Sequence, residues 1–246
     1  MNKKKVLSKL NPLFLKGIAH RGLHNDKYTE NGMNAFSNAI RHNVPIEFDI
    51  HLTKDNELVV CHDEDLKRTT GKSGIIEDLT LEEIKNNYRL LDGGEIPTFV
   101  EVLDLVHEQV PLVIELKVFR KNYKPLAKKV IEVMNEKVVD KKNYMLISFD
   151  PRSLWPLKKL KIIRSLLATR SHEYVYNYFR HTVESVDLDQ VLFDEKRIQK
   201  YHRRYLVNVW TIENEEQLKA VLPYVDTVTF QHMDVDVVRD YLKNKK

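Results

Sequence analysis

The sequence predicts an α/β protein folded as a TIM (β/α)8 barrel, with a β-hairpin and a small insertion after barrel strand two. Three observations predict it. Short β-rich runs alternate with helical patterns along the chain. Nine such runs occur, and one of them returns too soon to be a barrel strand. The length, 246 residues, is close to the ~250 typical of this architecture. A doubly wound open sheet is the alternative that the same alternation allows.

Strand patterns fall near 17–21, 45–51, 57–61, 111–117, 144–149, 162–168, 188–193, 205–211 and 226–230. Helical patterns fall near 31–43, 80–87, 98–108, 123–136, 151–160, 172–183, 194–203, 213–222 and 234–243. Asn31 is placed to N-cap the first helix. The loop between these second and third runs, Thr53 to Asn56, is short, whereas a parallel crossover takes about a dozen residues or more. The third run must therefore turn back antiparallel on the second, and residues of about 53–97 become an insertion. Within it Thr80 precedes Leu81-Glu82-Glu83 with the spacing of a capping box. Pro97 precedes one helix and Pro151 opens another, where a missing N–H costs little. Removing the hairpin strand leaves eight, mostly with a helix between neighbours. With no linker, repeat or low-complexity tract, one domain over 1–246 is expected.

Composition narrows the function classes. A chain 42% hydrophobic and 31% charged is neither disordered nor an integral membrane protein. The single cysteine, Cys61, excludes a disulfide framework and a Cys-rich zinc module, and suits a reducing compartment. The net charge of +4 is spread along the chain, which argues against a nucleic-acid face. The basic opening segment lacks the ~7–15 apolar residues of a signal peptide, and no run approaches the ~18 of a spanning helix. A cytoplasmic protein is expected, with at most weak peripheral membrane contact through that segment. All seven glycines lie at or before Gly94, where average usage of about 7% would give roughly 17. Gly22 sits where close approach of the backbone to a substrate is plausible.

Alternate residues of a strand share a face, so Glu47 and Asp49 point the same way, roughly 6.6 Å apart. Phe48 and Ile50 point toward the helices. Glu115 and Lys117 share a face likewise, with Ile114 and Leu116 opposite. Buried carboxylates are costly unless paired or bound to metal, and barrel enzymes build their sites at the C-terminal strand ends. Glu47, Asp49 and Glu115 are three hard oxygen ligands for one divalent cation, Mg2+ or Ca2+ rather than Zn2+. Salt bridges formed in place are the alternative. His20 and His62 both end strands at the predicted active face and suit acid–base work as a pair. Arg21 offers a fork to a phosphate and Lys117 a point charge. The other eight histidines, His51 among them, are expected to be structural or exposed. Trp210 is expected to face inward with Asn208, as a pocket wall or as plain barrel packing.

Several motifs then follow in order: Ala19-His20-Arg21-Gly22, Glu30-Asn31, Glu47-Phe48-Asp49, Leu52-Thr53-Lys54-Asp55 and Val59-Val60-Cys61-His62-Asp63. After them come Leu66-Lys67-Arg68-Thr69-Thr70-Gly71, Ile96-Pro97-Thr98, Ile114-Glu115-Leu116-Lys117 and Trp210-Thr211-Ile212. The ordered set resembles the glycerophosphodiester phosphodiesterase family. That resemblance implies a TIM barrel with an insertion after strand two. It implies a hydrolase of lipid and glycerol metabolism that releases glycerol 3-phosphate and an alcohol such as choline or ethanolamine. It implies one divalent cation at Glu47, Asp49 and Glu115, acid–base roles for His20 and His62, and phosphate contacts from Arg21 and Lys117. The alternatives are a phosphodiesterase of intact phospholipid or lysophospholipid, and a non-enzymatic surface-interaction protein on the same fold. Two positions depart from the family pattern. Gly32 stands where Thr usually follows Glu-Asn, and the last strand, Val225 to His232, lacks the usual glycine and trailing Asp-x-Pro.

Overall fold

Nine strands form one sheet in the computed structural model, which describes residues 3–192 and 194–245. In chain order they are β1 (Ile18–Ala19), β2 (Ile46–Leu52), β3 (Leu58–Val60), β4 (Leu112–Leu116), β5 (Tyr144–Ser148), β6 (Ile163–Ala168), β7 (Ser185–Asp189), β8 (Leu206–Ile212) and β9 (Thr227–Phe230). The sheet order is β1-β9-β8-β7-β6-β5-β4-β2-β3, and β1 pairs with β2 at Ala19 and Ile46. That pairing closes eight parallel strands into a barrel. β3 pairs antiparallel with β2, Ile50 opposite Val60, as the short turn requires.

The alternation along each strand sorts residues between two cores. Phe48 packs outward against Phe36 and Phe99, ring centroids 5.6 and 6.0 Å away. Inside, Val113, Met145, Ile163 and Leu206 meet three side chains from before the first strand: Val6, Leu10 and Phe14. The opening segment, helical over Lys3–Leu7 and a 3-10 turn over Pro12–Lys16, thus stoppers the N-terminal end of the barrel. Thr227 Oγ1 donates to the Phe14 carbonyl at 2.7 Å, and Lys3 pairs with Asp226 at 2.8 Å. Among the described residues, no helix is long and apolar enough to cross a membrane.

Local signals mostly hold. Thr80 caps the helix Leu81–Asn87 in a full capping box with Glu83, and Thr98 does the same with Glu101 for Phe99–Val106. Pro151 is the first residue of the helix Pro151–Leu157. Two expectations need correction. The strand expected at 188–193 is β7 at Ser185–Asp189, followed by a 3-10 turn over Gln190–Leu192; residue 193 lies outside the described residues. Its inward residues Ser185 and Asp187 are polar, so a search for apolar character slides past it. Asn31 does not cap the first helix: Gly32 holds that position before Met33–Arg41, with no side-chain cap. Gly22 meets a packing need. Its φ is +81°, and a Cβ there would sit 2.9 Å from Phe36 and 3.0 Å from Ala35, so it lets the first helix pack against the end of β1.

Candidate active site

Three carboxylates converge at the C-terminal end of the barrel. Glu47 and Asp49 share the inner face of β2, and Glu115 on β4 lies in register with Asp49. All three are buried, and their ligand oxygens lie within 4.8 Å of one another. Burial pushes Glu47 well above the usual carboxylate range, with the charges of Asp49 and Glu115 adding to it. Burial likewise carries Glu115 up to about 7 against the pull of Lys117, whose Nζ is 2.9 Å away. Burial works against the charge of Asp49 too, but Lys117, His62, Arg21 and the Asn31 amide hold it below the usual range. Crowded, buried, oxygen-only donors at this spacing fit a hard divalent cation, which neutralises what the protein alone leaves in conflict.

Around them stands a set of cationic and imidazole groups. Arg21, at φ +53°, donates its backbone N–H to Glu47 Oε2 at 3.0 Å. Its Nε lies 3.6 Å from Asp49 and is buried without a hydrogen-bond partner. From Arg21 an ion-pair chain runs outward. Glu30 Oε1 is 2.8 Å from Arg21 Nη1, Arg68 forks onto Glu30 at 2.8 and 2.9 Å, and Arg68 Nε reaches Asp63 at 2.6 Å. Asp63 Oδ1 in turn lies 2.6 Å from His62 Nδ1. Burial opposes the charge on Glu30, yet Arg68 and Arg21 hold its carboxyl down at about 2.

His20 Nδ1 lies 2.6 Å from Gln231 Oε1. Gln231 Nε2 donates to Glu213 at 2.5 Å, which orients the amide with its oxygen toward the histidine. His20 Nδ1 is therefore the N–H, and Nε2 carries the lone pair. Burial, with Arg21 beside it, pushes His20 down to about 3, so it is neutral near pH 7. Burial also pushes His62 below its usual range, while Asp49 pulls the other way.

Residues 20–238 match the Glycerophosphoryl diester phosphodiesterase family. The chain belongs to that family. Among curated relatives, a glycerophosphodiester phosphodiesterase of Caldanaerobacter subterraneus subsp. tengcongensis is 38% identical over 151 residues, 58% of this chain and 61% of the relative. The chain thus spans about three-fifths of that relative's length. The crystal structure of a Thermotoga maritima glycerophosphodiester phosphodiesterase is 27% identical, with a TM-score of 0.72 over 92% of this chain and 96% of the other. An Oleispira antarctica phosphodiesterase, solved with its product sn-glycerol-3-phosphate, shares the fold at a TM-score of 0.79, over 97% and 98% of the two chains, with 22% identity.

In this member of the family, the structure brings the candidate residues together. His20, Arg21, Glu47, His62, Glu115 and Trp210 line one small cavity; Asp49 and Lys117 adjoin it through Glu115. Trp210 faces inward, edge-on to Phe149 at 5.8 Å. His51 is buried and structural: its Nδ1 lies 2.7 Å from Glu77 and its Nε2 3.1 Å from the His62 carbonyl, so it braces the loop that carries His62. Four contributors went unassigned by the sequence. Asn31 donates to Asp49 at 2.9 Å, and Gln231, Asp63 and Arg68 orient the histidines. Glu30-Asn31, His62-Asp63 and Arg68 were all visible as motif positions, but only their spatial convergence gives them tasks. Gln231 lies in the atypical last strand segment and carried no sequence signal.

Proposed function

We propose that this protein is a divalent-cation-dependent phosphodiesterase that hydrolyses glycerophosphodiesters, such as glycerophosphocholine and glycerophosphoethanolamine, to glycerol 3-phosphate and an alcohol. One observation carries the reading: three buried carboxylates, two oriented imidazoles and the orphaned Nε donor of Arg21 share a single site. In this reading Glu47, Asp49 and Glu115 hold one Mg2+ or Ca2+. When bound, the cation supplies positive charge to the phosphoryl oxygens and to the developing transition state. Arg21 and Lys117 orient the phosphodiester and balance its charge. His20, neutral with its Nε2 lone pair available, takes the proton of the attacking hydroxyl, of water or of the glycerol arm, as the new P–O bond forms; where the glycerol arm attacks, water then opens the cyclic phosphate to glycerol 3-phosphate. His62, whose protonated form is favoured by the Asp63 carboxylate and by the anionic diester once bound, gives a proton to the leaving alkoxide as the ester P–O bond breaks.

The test is release of glycerol 3-phosphate from glycerophosphocholine and glycerophosphoethanolamine by purified protein, with Mg2+, with Ca2+ and with chelator. Turnover with cation and its loss under chelation are expected; no release with any cation or head group would sink the reading. His20→Ala and Glu115→Ala are each expected to cut kcat about 10²-fold or more, with the unfolding midpoint little changed. Near-normal turnover in both would refute the roles assigned.

A further inference from the structure

All eight barrel strands are entered from one end, the end sealed by Val6, Leu10 and Phe14, so the segments that lead into them share it. Those segments are strongly basic. Residues 3–17, 138–143, 158–162 and 203–205, before β1, β5, β6 and β8, contain twelve Lys and Arg and one carboxylate, Asp140. The other four segments, 42–45, 107–111, 180–184 and 222–226, add one arginine and three carboxylates. Thirteen cations against four carboxylates at this end contrast with 40 against 36 in the whole chain, so the remainder of the molecule is net negative. Charge that is even along the sequence is segregated in space.

The basic segments are joined to one another. Asn11 donates its backbone N–H to the Lys142 carbonyl at 2.9 Å and its side-chain amide to Asn143 Oδ1 at 2.8 Å, while Lys3 Nζ donates to the His202 carbonyl at 2.9 Å. β5 pairs with β6, which sets 158–162 beside 138–143. The carboxylates of this end are engaged within the fold. Asp226 pairs with Lys3, Glu184 pairs with Arg164 at 2.8 Å, Glu108 accepts from the Val139 and Asp140 N–H groups, and Asp140 accepts from the Lys142 N–H. Lys141, Lys142, Lys158, Lys159 and Lys161 are exposed, and none forms an ion pair with a described residue. Two apolar side chains stand out from the same belt. Val139, two residues before Lys141, is 86% exposed, and Trp155, three residues before Lys158, is 65% exposed. Trp155 and Lys158 line a surface hollow together with residues 181–184, which lead into β7.

We propose that this basic end is a docking surface for an anionic phospholipid bilayer, with Trp155 and Val139 entering the headgroup layer and the carboxylate end turned outward to water. Charge complementarity argues for that partner. A polybasic surface within a Debye length of an anionic leaflet, ~10 Å at 0.1 M salt, is drawn to it. The net negative remainder of the molecule is repelled, which fixes the orientation. Ten of the twelve cations before β1, β5, β6 and β8 are lysines. Lysines are flexible point charges, which suit a fluid array of headgroups, whereas the arginine fork suits a phosphate in a fixed place. An exposed tryptophan beside them suits the membrane–water interface, where one side of the ring is apolar and its N–H stays wet. Docking by this end does not depend on the reaction proposed above.

The test is co-sedimentation with vesicles of phosphatidylcholine alone and of phosphatidylcholine mixed equally with phosphatidylglycerol, at low and high salt, beside tryptophan emission. The unmodified protein is expected to bind the anionic vesicles at least about 10-fold more tightly, to lose that preference at high salt, and to shift its emission to the blue. Lys158→Glu with Lys159→Glu is expected to weaken binding at least about 10-fold. Lys124→Glu with Lys128→Glu makes the same change in net charge at the start of the helix Tyr123–Lys137, away from the basic end, and is expected to leave binding within about 3-fold. Trp155→Ala is expected to remove the blue shift and weaken binding. The unfolding midpoint of each variant shows that it is folded. Binding to neither vesicle overturns the proposal, and so does equal weakening by the two lysine pairs. Tighter binding of a DNA or RNA oligonucleotide than of anionic vesicles at the same ionic strength assigns the surface to nucleic acid and overturns it as well.

Discussion

At His20 the controlling contact comes from across the barrel. The amide of Gln231, held by Glu213, accepts from Nδ1 and leaves Nε2 free to take a proton. In the proposed role of base His20 is lost as pH falls through its pKa, which burial pushes down to about 3. Gln231→Glu places a carboxylate opposite the ring, which favours the imidazolium and raises the pKa. The His20 imidazole of Gln231→Glu is then expected to titrate about one unit or more higher, whereas Gln231→Leu should lower kcat without raising that titration. NMR titration of the ring beside steady-state kinetics of both variants checks this. At this scale the sequence was legible wherever chemistry is repeated at period two, as in Glu47 with Asp49 and Glu115 with Lys117. Gln231 and Asn31 escaped because nothing local marks a side chain whose partner is distant in the chain. Asn31 even carried a competing local signal, the N-cap preference of asparagine.

At the scale of elements, the insertion after β2 contributes to the site as well as covering its side. The short helix Lys67–Thr70 presents Arg68 between Glu30 and Asp63, tying the loop after β1 to the loop after β3. Arg68 is half-exposed, and exposed ion pairs stabilise a fold by little, about 0–1 kcal/mol. Its value is positional: it fixes Asp63, and Asp63 fixes His62. Arg68→Ala is expected to lower kcat about 10-fold with KM and the unfolding midpoint nearly unchanged, and Arg68→Lys to recover only part, since a point charge cannot fork. Steady-state kinetics beside thermal unfolding separates this from a structural loss. The hairpin, the Thr80 capping box and most helices were readable from local spacing. β7 was misplaced because its inward face is polar, and the residue that slipped from view, Asp187, lines the cavity at the site.

Over the whole molecule, closure of the barrel creates two ends with opposite demands. The carboxylate end must stay polar and open. The other end must be sealed, and the segment before β1 does so with Val6, Leu10 and Phe14, all at most 4% exposed. Truncating a large buried aromatic costs about 3–5 kcal/mol. Phe14→Ala is expected to lose stability in that range by urea unfolding, with turnover at low denaturant retained, because Phe14 packs at the end away from the chemistry. A loss under about 1 kcal/mol would mean that the segment is not a true stopper. By itself the sequence predicted the barrel, the insertion and the shared faces of Glu47 with Asp49 and of Glu115 with Lys117, because strand periodicity and turn length are local properties that already encode which side chains share a face. Only the tertiary structure decided the tautomer of His20, the bracing of His62 through Arg68, the stoppering of the barrel and the place of Asp187. Each of these depends on which strands become neighbours when the sheet closes, and closure brings together residues far apart in the chain, 213 positions at Phe14 and Thr227.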